Sequence, residues 1–216
     1  MEATKIYVQH VFASMKPLTV VGLDLAGAET RPTGFCILTG LYAETTHTYK
    51  DQETLAKIIQ ANPQVVAIDA PLSLPPGRKT LEERTGPHLR ESDKELQRRG
   101  IRFFPLTLGP MRKLTARGIA LRNILESSGF KVIEAYPGGA QDVLGIPRKK
   151  QGLDKLQVGL EALGIGGLKR GLSDHELDAV TCAYVGKQFL EGKSVPYGPI
   201  DDAIIMPKGD KREKKN

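Results

Sequence analysis

Residues 18–25, LTVVGLDL, decide the fold. Four consecutive residues of this run, Val20–Leu23, are apolar or glycine, and the carboxylate of Asp24 closes it. A run without polar alternation reads as a strand covered on both faces. The pattern returns in residues 64–77, QVVAIDAPLSLPPG, where Val65–Ile68 is the strand and Asp69 its end. The proline-rich continuation cannot be regular structure. A third copy, FKVIEAYPGG at 130–139, is closed by Glu134 and stopped by Pro137.

Outward from these runs, GFCILTG (34–40) and LYAETTHTYK (41–50) read as two strands meeting at Thr39-Gly40, an antiparallel hairpin. Asp51 is placed to cap a helix over QETLAKIIQ, with Leu55, Ile58 and Ile59 on one face, and Asn62-Pro63 stops it. A helical crossover from the third strand to the fourth sets the fourth parallel beside the first. Further helices are expected at about 89–99 and 111–128, with short helical pieces at 139–145 and 153–163. The last long helix starts at the capping box Ser173-Asp174-His175-Glu176 and runs to about Leu190. IDDAIIMP (200–207) can add a short terminal strand.

An aspartate inside an apolar run is costly to bury unless it is paired or binds a metal. If the first and fourth strands are parallel neighbours, Asp24 and Asp69 stand about 5 Å apart across the sheet. Two carboxylates that close repel unless a cation lies between them. Asp174 and Asp178, four residues apart, project from one face near the start of the last helix. The small residues Ala179, Cys182 and Ala183 let that helix come close to the sheet. Asp24, Asp69 and Asp178 are therefore the expected metal ligands, with Asp174 and Glu134 as further catalytic candidates. Oxygen donors without thiols suit Mg²⁺ or Mn²⁺ rather than zinc. Two such ions can activate water and stabilise the leaving oxygen of a phosphodiester. His175, or the more remote His88, is placed to assist proton transfer.

The bulk numbers fit a partner of negative charge. The chain has 216 residues and a net charge of +6. Between Arg78 and Arg122 there are 12 Lys/Arg against 5 Asp/Glu, so the excess sits in one stretch. Such a block is the footprint of a polyanion binder. Arg78, Arg84, Arg90, Arg98, Arg99 and Arg102 are the expected phosphate contacts. Only two cysteines are present, Cys36 and Cys182, a count that excludes a disulfide scaffold, and each lies in an apolar run. No stretch reaches the length of a membrane span. The first residues carry no signal-peptide pattern, so a cytoplasmic location is expected. One domain over residues 1–206 is expected, with 1–17 an arm or extra strand and 207–216 a disordered basic tail.

Five motifs in order resemble a known family. They are VVGLDLAG followed by PTGFCIL, VAIDAPLSLP, RESDKELQRRGIRFFP, VIEAYPGG and SDHELDAVTCAYV. Together they are similar to domain-of-unknown-function family 429, predicted nucleases with an RNase H-like fold. The resemblance covers roughly residues 18–205. It implies an α/β fold with a mixed five-stranded sheet: strands 1–3 antiparallel, strands 4 and 5 parallel to strand 1, and helices on both faces. It implies that Asp24 holds the first-strand carboxylate position and Asp69 the fourth-strand one. Asp174 and Asp178 resemble the last acidic motif of Holliday-junction resolvases. Glu134, Tyr136, Arg90 and Asp93 match family motifs without an assigned role.

The expected function is metal-dependent hydrolysis of nucleic-acid phosphodiesters, with a homodimer favoured if the substrate is a junction. Two alternatives stand beside it. One is a non-catalytic nucleic-acid-binding module of the same fold, which clustered acids would not help. The other is an actin-like nucleotide-binding phosphotransferase, whose phosphates would face the loop AGAETRPTG (26–34), although no Walker-type loop is present.

Overall fold

The structure is a computed structural model, and it describes residues 17–83 and 85–209. The expected arm lies almost wholly outside the described residues, as does most of the expected tail. The strands are β1 (Thr19–Asp24), β2 (Thr33–Thr39), β3 (Tyr42–Thr48), β4 (Val65–Asp69), β5 (Val132–Ala135), β6 (Ser194–Tyr197) and β7 (Ile204–Pro207). The α-helices are α1 (Asp51–Ala61), α2 (Glu91–Arg98), α3 (Gly109–Ser127), α4 (Pro137–Leu144), α5 (Leu153–Ala162) and α6 (Asp174–Leu190).

One sheet runs in the order β3-β2-β1-β4-β5-β7-β6. β1, β2 and β3 form the antiparallel meander, and β4 lies parallel to β1 on its other side. β5 continues parallel to β4. The expected RNase H-like arrangement is present, in a sheet of seven strands rather than five. The extension is β7, parallel to β5, and β6, antiparallel to β7. β6 is short and contains Pro196, which removes a donor, and among the described residues it pairs only with β7. An edge strand of that composition has no apolar signature to read.

Strand alternation divides the core. Val20, Ala67, Ile133 and Ala135 face the layer that holds α6, while Val21, Leu23, Ile68 and Val132 face the opposite layer with Ile58, Leu121 and Leu125. α6 lies very close to the sheet because two glycines make room. A Cβ on Gly22 would stand 2.1 Å from the Ala179 carbonyl oxygen, and one on Gly34 1.9 Å from that of His175. α6 begins as expected: Ser173 Oγ accepts from the Glu176 amide, and Glu176 Oε2 accepts from the Ser173 amide at 3.0 Å. At α1 the expectation needs correcting. Lys50 is the N-cap and Asp51 the first helical residue, where its carboxylate pairs with Arg117.

Candidate active site

Pairing fixes the acids. β1 and β4 are in register with Asp24 opposite Asp69. Both follow Val20, Gly22 and Ala67 in strand parity, so both point into the α6 layer at the C-terminal ends of their strands. Asp178, one turn into α6, is buried against them. Asp24 and Asp178 are themselves largely buried, and Asp69 is half-buried.

The three carboxylates are held differently. His175 Nδ1 donates to Asp24 Oδ2 at 2.6 Å. That bond, against the cost of burial, raises the affinity of His175 for its proton. Asp178 accepts from Gln141 Nε2 at 2.9 Å and from Lys149 Nζ at 2.8 Å. Lys149 also reaches Asp174 at 3.4 Å. Burial would weaken the hold of Lys149 on its proton, but Asp178, Asp24 and Asp174 outweigh it and raise its pKa. Burial raises Asp178 despite the nearby ammonium. Asp69 carries no hydrogen bond from a described side chain. Burial, and then the charges of Asp24 and Asp178, push its carboxyl well above the usual range.

A cation does sit among the crowded acids, and it belongs to the protein. Lys149 stands on a short 3₁₀ turn, Lys149–Gln151, before α5. Its role had no signal in the sequence, where it is one lysine in the run RKKQ. Gln141 from α4 was equally silent. As the side chains stand, no three Asp, Glu, His or Cys groups among the described residues enclose one point tightly enough for an ion. In this arrangement Asp24 is bonded to His175 and Asp178 to Lys149.

Glu134 requires a correction. It pairs in register with Ile68, not with Asp69, so its side chain points to the opposite face of the sheet. There Arg90 grips both its oxygens, at 2.7 and 2.8 Å, and the Leu72 amide donates to it at 2.8 Å. The same guanidinium holds Asp93 at 2.9 Å, and Asp202 lies 3.5 Å from it. Glu134 is thus a member of an ion network that anchors the proline-rich loop after β4. Asp202 feels that crowding. Burial, offset by Arg90 and reinforced by Glu134, pushes its pKa up to about 6. Asp174 is half-exposed at the first turn of α6. Burial would raise its pKa, but His175 and Lys149 hold it below the usual range.

The expected phosphate contacts scatter. Arg90 is 1% exposed and committed to the network. Arg78 is also buried, donating to the carbonyls of Pro87 and Glu83 at 3.0 and 2.8 Å. Arg98 and Arg99 are exposed but paired with Glu95, and Arg99 also lies over the Tyr197 ring. Arg102 is exposed, and Arg84 lies outside the described residues. Charge density could not tell a buried arginine from an exposed one. Tyr136 donates its hydroxyl to the Arg102 carbonyl. His88 is exposed and bonded to Thr107 at 2.9 Å, remote from the aspartates in its contacts.

Residues 22–202 match the sequence model of the family described as "Protein of unknown function (DUF429)". The chain belongs to this family. No curated protein matched this DUF429 member. Among solved structures it is similar to RuvC of T. thermophilus in complex with a Holliday junction substrate, at 13% identity and a TM-score of 0.48, over 88% of this chain and 100% of that one. It is likewise similar to the Thermus thermophilus RuvC structure, at 15% identity and a TM-score of 0.46, over 88% and 100%. No helix among the described residues of the DUF429 chain is long and apolar enough to cross a membrane.

Proposed function

We propose that this DUF429 protein is a metal-dependent nuclease that hydrolyses phosphodiester bonds at the Asp24–Asp69–Asp178 edge. One observation carries the reading. Asp69, in register with Asp24 and facing Asp178, accepts no hydrogen bond from a described residue, and its negative charge is strongly disfavoured. A fully committed structural acid has hydrogen bonds, as Glu134 does, whereas an underserved carboxylate among carboxylates is the condition a cation relieves.

The donor chemistry fits Mg²⁺ or Mn²⁺: three carboxylates and no thiolate within the cluster. Asp24, Asp69 and Asp178 would hold the ion, which supplies charge neutralisation and an activated water when bound. Lys149 and the ion would compete for the Asp178 carboxylate. The chain's own groups do the rest. His175 orients Asp24 and carries a proton at Nδ1. Gln141 fixes one oxygen of Asp178, and the other faces Lys149. Lys149, freed, is a half-exposed ammonium beside the acids, suited to a phosphate oxygen.

The test is cleavage of labelled single-stranded, duplex, hybrid and branched substrates with Mn²⁺. Asp24→Asn and Asp178→Asn are each expected to lower the rate by about 10²-fold or more. Undiminished cleavage by both variants, or none by the wild type on any substrate, would overturn the proposal. Nucleic-acid binding without cleavage, indifferent to metal, would make the protein a binding module instead.

A further inference from the structure

The cations named from the sequence are mostly spent on the protein itself, so a polyanion has to be met elsewhere. A cleft of about 850 Å³ opens between the β1–β2 loop and the first turns of α3. Arg31 lines one wall, Arg112 and Lys113 the other, and Glu82 is the acid on the rim. All three basic residues are exposed. None is ion-paired with an acid among the described residues, in contrast to Arg98 and Arg99 beside Glu95.

We infer that this cleft seats the phosphodiester backbone of the nucleic-acid strand, with Arg31, Arg112 and Lys113 contacting its phosphates. The inference rests on the nucleic-acid reading above and names the surface that serves it. Two physical points carry it. Phosphate binding gains from cations that have no acid to give up, because the gain comes from releasing counterions rather than exchanging salt bridges. Arg98 and Arg99 would have to abandon Glu95 first.

The second point is position. Gly27, in the cleft, is three residues beyond Asp24, so its Cα lies at most about 11 Å from that of Asp24. The wall is fixed in place. Arg117 on α3 donates to the Ala26 carbonyl at 2.7 Å, to the Tyr49 carbonyl at 3.0 Å and to Asp51 at 2.9 Å. α3 packs in the layer opposite α6, so a strand lying in the cleft comes up to the C-terminal end of β1 from the other face of the sheet and has to pass round that end to meet the carboxylates. Arg31 sits in AGAETRPTG, the loop that would face phosphates in the actin-like alternative.

The test is fluorescence anisotropy with a labelled oligonucleotide at low salt in EDTA, so that binding is read without cleavage. The triple variant Arg31→Glu, Arg112→Glu, Lys113→Glu is expected to bind about tenfold more weakly or worse, with a log–log salt slope smaller by roughly three. The double variant Arg98→Glu, Arg99→Glu is expected to bind within about twofold of wild type. Equal melting temperatures show that the variants fold. As a measurement without mutation, oligonucleotide should protect Lys113 from amine acylation while Lys94, paired with Glu91, stays as reactive as before. Wild-type binding that survives the triple variant, or falls more in the Arg98/Arg99 variant, or leaves Lys113 unprotected, overturns the cleft while the nuclease reading stands. No binding by the wild type at all overturns both.

Discussion

Two regions of this molecule gather carboxylates around a basic group, and they do it in opposite ways. On one face of the sheet Arg90 is almost fully buried and divides its donors among Glu134, Asp93 and Ser73, with Asp202 alongside. On the other, a half-exposed Lys149 serves Asp178 and Asp174, His175 serves Asp24, and Asp69 is left over. The guanidinium is planar, permanently charged and bidentate, which suits a fixed joint. An ammonium on a flexible stem is a point charge that can leave. The first region is built so that every charge is answered. The second is built with a deficit, and a deficit at a strand edge is where a ligand contributes most.

The strongest way to break that contrast is to remove the guanidinium. Arg90→Met strands Glu134 and Asp93 in the interior, and should cost about 3–5 kcal/mol of stability by urea denaturation. Mn²⁺ should not restore it. A loss under about 1 kcal/mol would mean that the network is not the joint described here.

Removing a charge at the other region should act in the reverse direction. The raised carboxyl of Asp69 means that the folded protein holds this proton more tightly than the unfolded chain. The stability linked to that proton is full below the unfolded pKa, about 4, and is lost as pH rises through the folded pKa. At neutral pH without metal, Asp69→Asn should therefore stabilise the protein against urea. The gain should shrink as the pH is lowered toward 4. A destabilised variant would show that the Asp69 charge is already compensated.

Metal sharpens the same distinction. Saturating Mn²⁺ should raise the melting temperature of the wild type, by the equivalent of about 2.7 kcal/mol at a hundredfold excess over Kd. Asp24→Asn should show little of this rise, and Arg90→Met should keep it if folded. Smaller still is the effect of Lys149→Met. It removes one half-exposed cation from Asp178, and is expected to cost about 1 kcal/mol, which added Mn²⁺ recovers. Failure of Mn²⁺ to recover it would mean that Lys149 is a structural partner and not a stand-in.

Much of this was legible in the residues, and the limits have a physical origin. Apolar runs ended by Asp24 and Asp69 gave two buried strands and their acids, because burying an aspartate demands an explanation wherever it occurs. Ser173 and Glu176 gave the start of the last helix, because a capping box is local chemistry. The small residues facing the sheet gave its close approach. Glu134 was misjudged for one reason. It ends its strand as the others do, but β5 is offset by one residue against β4, and a one-residue offset sends a side chain to the other face. Such an offset is set by the partner strand and leaves no mark in the segment itself.

The sequence by itself therefore determined which segments become buried strands, where the last helix begins and which acids would be expensive to bury. Periodicity, capping and desolvation all act within a few residues. Only the tertiary structure decided which acids meet, that Arg90 is an interior joint, that Lys149 is the cation among the aspartates, and that the uncommitted basic residues line a cleft beside β1. Those outcomes depend on strand register and on contacts between residues far apart in the chain, which are fixed when the sheet assembles.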